Sequence, residues 1–187
     1  MGSNLTVLRD SSYNRDSFIL LKKSLVHLKE NFCAFKALCE EFFLDATQFK
    51  IIFGLMDNTF AIWDNDKNGL IDALELFSGL IICADAKLND KVRFLFEVFD
   101  LNEVDYLQAI EIQFMVYSVV TSVFKIFGIK RDVNVDEVEA AVNAYFKDPN
   151  EPIKVMSLIR FVTESPPAQE FFELIHNSAQ ELPNKVT

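Results

Sequence analysis

Glycine and proline are scarce in this chain, with five of each among 187 residues. Segments that alternate apolar and polar residues over the length of a strand are also missing. Most of the sequence carries apolar residues at intervals of three and four, which is the spacing of one helix face. We therefore predict an all-α fold. The predicted helices lie near 16–30, 32–43, 46–56, 55–63, 73–84, 90–99, 109–127, 135–146, 156–162 and 166–180.

Positive charge is in short supply, since 18 Lys and Arg face 28 Asp and Glu and the net charge is −10. This balance argues against nucleic acid as a partner, because phosphates call for clustered Lys and Arg. It is compatible with cations or basic protein segments as ligands. The three cysteines, Cys33, Cys39 and Cys83, are few and odd in number. We expect free thiols in a reducing compartment, and hence a cytoplasmic protein.

Histidine is rarer still, and neither His27 nor His176 has neighbours that would make it a catalyst. The chain has no G-x-S-x-G motif, no P-loop and no Cys–His pair with supporting spacing. We therefore expect that the protein is not an enzyme.

Long hydrophobic runs are missing as well. The most apolar stretch, at 114–129, is shorter than the roughly 18 residues of a membrane span and contains Lys125. We expect no transmembrane segment and no secretory signal. The opening MGSNLT matches the myristoylation pattern at Gly2, but it also resembles a cloning remnant, and no basic cluster follows as a second anchor. Acylation of Gly2 stays open.

Oxygen-bearing side chains, in contrast, are concentrated in DNDKNGLIDALE at 64–75. Calcium takes six to eight oxygens, which twelve residues supply if alternate positions point inward and the chain turns sharply at Gly69. The alternative is a solvated acidic turn between two helices. The spacing resembles the EF-hand pattern D-x-[DN]-x-[DN]-G-x₅-E, and we expect one Ca²⁺, with Mg²⁺ possible at rest. The predicted ligands, at loop positions 1, 3, 5, 7, 9 and 12, are Asp64, Asp66, Asn68, Leu70 through its carbonyl, Asp72 and Glu75.

A second loop, DLNEVDYLQAIE at 100–111, keeps only part of this ligand set. Asp100, Asn102 and Glu111 stand at positions 1, 3 and 12. Val104 offers no oxygen at position 5, and Asp105 replaces the glycine at position 6. We expect this doubtful second metal loop to be empty at resting calcium concentrations.

Two further segments keep the framework without ligands. Near 146–157, Phe146 stands at position 1 and Ser157 at position 12. In the segment before residue 49, Gln48 stands at position 12 and Asp45 begins a capping-box-like sequence. We expect neither segment to bind an ion.

Loops of this kind pair through the apolar residue at position 8, which points away from the ion. These residues are Leu44, Ile71, Leu107 and Ile153. Two pairs imply two lobes, which we place at 17–86 and 87–178, with tails at 1–16 and 179–187. Each lobe would contain two helix–loop–helix units and a short strand pairing, and only the second unit of the four would bind an ion.

The join between the second and third units resembles a known branch of the EF-hand proteins. NGLIDALELFSGLI followed by NDKVRFLFEVFDLN is similar to the centre of the neuronal calcium sensor, calcineurin B and calaxin-like branch. The resemblance implies the same ligand roles at 64–75 and, doubtfully, at 100–111. It also suggests a ciliary, cytoskeletal or motor-associated partner.

These observations predict a calcium-binding regulatory or adaptor protein. The apolar faces of helices 90–99, 109–127 and 135–146, together with 19 phenylalanines, predict a Phe-rich groove for an amphipathic helix of a partner protein. The alternative is a calcium-insensitive structural subunit, comparable to a myosin light chain.

Overall fold

The computed structural model describes residues 23–54, 57–64, 66–127, 132–166 and 168–171. Within these ranges the chain is mostly helical, with one two-stranded sheet, as the all-α prediction expects. The elements in chain order are α1 (Leu25–Leu38), β1 (Phe43–Asp45), α2 (Ala46–Phe53), α3 (Asp57–Trp63), β2 (Leu70–Asp72), α4 (Ala73–Cys83), α5 (Leu88–Phe99), α6 (Ala109–Phe127), α7 (Val135–Tyr145) and α8 (Val155–Glu164).

The predicted interruption between helices 16–30 and 32–43 is wrong, because α1 runs unbroken from Leu25 to Leu38. Neither Gly nor Pro separates the two predicted segments, and the buried Leu28, Phe32 and Phe35 continue on one face through the expected break. The helix ends before residue 43, because the chain there enters β1. The part of the prediction before residue 23 lies outside the described residues.

The loop residues predicted to pair lie opposite one another. Leu44 faces Ile71 in the antiparallel ladder between β1 and β2, and both side chains are buried. Leu107 and Ile153 form a separate antiparallel bridge, exchanging two backbone hydrogen bonds of 2.9 and 2.8 Å. Short ladders of this kind satisfy backbone groups that the loops would otherwise leave unpaired.

Helix α4 packs against α1, α5 and α6, and nearly all of its residues are buried. It packs closely against α6 at Gly79, where a Cβ atom would lie 2.8 Å from the Cβ of Ser122 and 2.9 Å from the ring of Trp63. A larger residue would force the two helices apart. The buried side chains form one continuous cluster that includes residues on both sides of the predicted boundary at 86 and 87. The predicted tails, 1–16 and 179–187, lie outside the described residues.

Helix α6 is longer than the apolar stretch noted in the sequence. Its 19 residues are apolar enough to cross a membrane by length and composition alone, a property shared by core helices of soluble proteins. One face, which includes Ile112, Met115 and Val119, is buried inside the protein. Phe114 on the other side is 60% exposed.

A cation on α5, which the sequence analysis did not single out, bonds to the end of α4. Lys91 is buried and donates a hydrogen bond of 2.7 Å to the carbonyl of Ile82, one of the last acceptors of α4. Burial lowers the pKa of Lys91 and raises that of the neighbouring Cys83 thiol to about 12. The three cysteines are free, as predicted.

Candidate metal site

The 64–75 loop is positioned by α3 before it and α4 after it. The backbone N–H of Asp64 still bonds to the carbonyl of Phe60 at 3.1 Å, so the first predicted ligand continues the turn of α3. At the other end, the Asp72 carboxylate caps α4 by accepting the N–H of Glu75 at 2.9 Å. The predicted ligands at positions 9 and 12 are therefore held by the start of a buried helix.

The chain reverses inside the loop through two residues with positive φ. Lys67 has φ 58° and Gly69 has φ 83°, so the position predicted to need glycine does adopt the left-handed conformation. The N–H of Gly69 then points across the loop and donates to Oδ2 of Asp64 at 3.2 Å. This bond sets one oxygen of the first predicted ligand inside the turn.

Asp66 and Asn68 bond to each other. The side-chain amide of Asn68 donates to Oδ2 of Asp66 at 2.8 Å, and its backbone N–H donates to Oδ1 at 3.3 Å. Oδ1 of Asn68 accepts the N–H of Leu70 at 2.7 Å. The middle of the loop is thus ordered by its own polar groups, and both side chains are exposed.

The second oxygen of Asp64 is different, because Oδ1 is buried and has no hydrogen-bond partner among the described residues. A buried carboxylate oxygen without a partner is unfavourable by about 1–3 kcal/mol or more. Such atoms are rare in folded proteins and call for an explanation. A cation in the loop would supply the missing partner.

Glu75, the predicted ligand at position 12, is paired with a residue that the sequence analysis did not place here. Its Oε1 lies 2.7 Å from Nζ of Lys125 on α6, and the two side chains are 13% and 21% exposed. Burial raises the pKa of the Glu75 carboxyl, while the Lys125 contact opposes this shift and the nearby Asp72 adds to it. The sequence does contain a sign that Lys125 is unusual, since it is the single charged residue in the apolar stretch at 114–129.

The predicted ligands do not yet converge on one point. No group of three or more His, Cys, Asp or Glu side chains within the described ranges is arranged to hold a metal ion. The Asp66 carboxylate accepts the side-chain amide of Asn68, and the Glu75 carboxylate is paired with Lys125. The oxygen-only donor set, the left-handed turn and the unpaired Asp64 oxygen nevertheless fit a hard cation such as Ca²⁺. For Glu75 to bind such a cation with both oxygens, Oε1 would have to leave Lys125.

The 100–111 loop uses its carboxylates differently. Both oxygens of Asp100 accept backbone N–H groups, from Val104 and Asp105, at 2.9 Å. Glu111 reaches back to the N–H of Gln108 at 2.7 Å. Asn102 is exposed in the turn between them. Two of the three doubtful ligands are therefore satisfied without an ion.

In the two remaining segments, the residues at the first and last loop positions that the structure describes take part in packing or helix capping. Phe146 occupies the position of the first ligand. The centroid of its ring lies 5.4 Å from that of Phe161 and 5.0 Å from that of Tyr145. Gln48 and Asp45 form the predicted capping box, with bonds of 2.9 and 2.8 Å. Gly2, the possible acylation site, lies outside the described residues.

Two known proteins resemble parts of this chain. Calcium-binding protein K of Dictyostelium discoideum is 35% identical over 77 residues, which cover 38% of this chain and 40% of that protein. Human calaxin is 40% identical over 48 residues, which cover 26% of this chain and 23% of calaxin. The matches thus span less than half of each relative. No protein-family profile matches the chain.

Proposed function

We propose that this chain is a calcium-binding regulatory protein of the EF-hand type that holds one Ca²⁺ in the 64–75 loop. The observation that carries the proposal is the buried Oδ1 of Asp64, for which the described ranges of the chain offer no hydrogen-bond partner. Asp64 stands at the first of six loop positions that all offer an oxygen. The partial similarity to a protein named for calcium binding and to calaxin supports it.

The same geometry supports four helix–loop–helix units in two lobes. Leu44 opposite Ile71 and Leu107 opposite Ile153 are the contacts expected between the loops of each pair. We assign the ion to the second unit, where Asp64, Asp66, Asn68, the Leu70 carbonyl, Asp72 and Glu75 would hold it. Calcium is favoured over Mg²⁺, because the long loop can supply more than six oxygens in flexible geometry.

We further propose that the protein binds an amphipathic helix of a partner protein at an apolar pocket between α5, α6, α7 and α8. The cavity measures about 140 Å³, and its wall is almost entirely apolar. Its lining is rich in valine and not in phenylalanine as predicted, because most of the phenylalanines pack in the core; Phe161 and Phe171 are its aromatic members. An amphipathic helix can insert its apolar face into such a groove. The lining residues are Val92, Leu95, Met115, Val116, Val119, Val120, Ala141, Phe161, Val162, Ser165, Ala168 and Phe171.

Calcium titration calorimetry on the wild type and on Glu75→Gln tests the calcium assignment. We expect one site in the wild type and a loss of affinity of about 100-fold or more in the variant, because Glu75 would supply two of the six to eight oxygens. Glu111→Gln is the matched control and should leave stoichiometry and affinity unchanged. An affinity for calcium that Glu75→Gln does not alter would refute the assignment.

A calcium-insensitive structural subunit, including a cilium- or motor-associated one, is the second candidate. It is favoured by the ion pair between Glu75 and Lys125, which balances the Glu75 charge without any metal. Hydrophobic-dye fluorescence and helix content by circular dichroism, measured with and without calcium, separate the two candidates. A regulatory protein should bind more dye when calcium is added, whereas unchanged signals would favour the structural subunit.

A further inference from the structure

We propose that Lys125 is a built-in competitor of the metal ion, whose ammonium group holds Glu75 in the ion-free protein and must be displaced when calcium binds. The inference rests on the proposed calcium site and adds a residue, remote in sequence, that sets its affinity. It also connects the site to α6.

The Lys125–Glu75 pair differs from the other ion pairs of the described residues by its burial. The side chains of Lys29 and Glu97 are 47% and 52% exposed, and those of Lys36 and Glu103 are 53% and 73% exposed. Exposed pairs contribute little, because water and salt screen them. Lys125 and Glu75 are only 21% and 13% exposed, so their attraction is screened less.

The two cations compete for the same atom. Lys125 holds Oε1 of Glu75 at 2.7 Å, and a position-12 glutamate needs both of its oxygens to bind Ca²⁺ in bidentate fashion. An ammonium group left at that distance would also repel a doubly charged ion beside the same carboxylate. Calcium therefore has to replace Lys125.

Lys125 also contacts the helix that precedes the loop. Its Nζ lies 3.3 Å from the carbonyl oxygen of Trp63, the last residue of α3. One ammonium group thus connects α6 to α3 through Trp63 and to α4 through Glu75. Its neighbour Ile126 and Ser122, one turn before, lie where α4 and α6 meet at Gly79.

This connection reaches the apolar pocket, because Met115, Val116, Val119 and Val120 of the same helix line it. When calcium displaces Lys125 from Glu75, the C-terminal end of α6 would lose an ammonium contact that holds it to α4 and α3. Movement of α6 would then alter the pocket, because residues of the same helix form one of its walls. The coupling consists of an ion-pair contact that only the ion-free state makes.

Calcium titration of the full chain with Lys125→Met tests the competition. If Lys125 occupies Glu75 for about 90% of the time, its removal should raise the calcium affinity about tenfold. Lys29→Met is the matched control, because it removes the same charge from an exposed pair and should change the affinity by less than about twofold. Lys125→Gln serves as the second neutral variant, and Lys125→Arg should stay close to the wild type.

Two further readouts do not depend on the affinity. Trp63 is the only tryptophan and is buried, so its fluorescence should change when calcium releases Lys125 from the neighbouring carbonyl. The ion-free Lys125→Met variant should already show part of this change. Its ion-free melting temperature should fall, because Glu75 loses its cation, and calcium should raise it more than in the wild type.

The outcomes separate this inference from the proposed function. A wild type that binds calcium, with equal affinity in Lys125→Met and Lys125→Gln, would overturn the competition and leave the calcium site standing. An equal gain in Lys29→Met would also overturn it, since the effect would then be one of overall charge. Absence of calcium binding in every variant would overturn the proposed function and this inference with it.

Discussion

The loops at 64–75 and 100–111 turn in the same way, although only the first offers an oxygen at all six predicted ligand positions. Position 4 is left-handed in both, with φ 58° at Lys67 and 53° at Glu103. Position 6 is left-handed in both, at Gly69 and at Asp105, and its N–H bonds to the aspartate at position 1. The backbone shape of such a loop therefore does not depend on an oxygen at every one of the six positions.

The two loops differ in the groups that stabilise their carboxylates. In the second loop, Asp100 accepts two backbone N–H groups and Glu111 accepts one, so local donors satisfy them. In the first loop, one oxygen of Asp64 is buried and has no partner in the part of the chain that the structure describes, and Glu75 is paired with a cation from α6. Among the described residues, the carboxylates of the first loop therefore receive less support from backbone donors than those of the second.

Restoring the second loop should have the largest effect on this comparison. Val104→Asn with Asp105→Gly adds an oxygen at position 5 and a glycine at position 6. We expect calorimetry to count two calcium ions instead of one, since the six ligand positions would again carry oxygen. Val104→Leu with Asp105→Gly is the control and should stay at one. A count of one in both variants would show that the bonds of Asp100 to the backbone already prevent binding.

Substitutions at position 6 should have a smaller effect, and their effect on the free energy of unfolding should differ between the two loops. Gly69→Ala should lower the free energy of unfolding in calcium-free buffer by about 1–2 kcal/mol, since other residues are disfavoured in the left-handed region. A Cβ at Gly69 would meet no atom within 4 Å, so the cost is that of the backbone alone. Chemical denaturation measures it.

Asp105→Gly is the counterpart in the second loop. It removes the left-handed strain but gives the unfolded chain more freedom, so the two effects should cancel to within about 0.5 kcal/mol.

A Gly69→Ala variant as stable as the wild type would mean that the loop adopts another conformation in solution.

Local patterns in the sequence anticipated much of what surrounds the site. Helical periodicity indicated the all-α architecture, and the capping box at Asp45 and Gln48 follows from residues three apart. The predicted boundary inside α1 is wrong. No Gly or Pro marks a break there, and the buried face of Phe32 and Phe35 continues through it. Periodicity identifies a helix more reliably than it locates its ends.

The sequence by itself determined which residues could serve as ligands, because the spacing of oxygen donors within twelve consecutive residues is a local property. Only the tertiary structure decided how the charge of Glu75 is balanced, because its partner lies on a helix remote in sequence and electrostatic attraction depends on distance in space. The close contact of α4 and α6 at Gly79 brings the two charges together, and it arises from core packing that no short motif records.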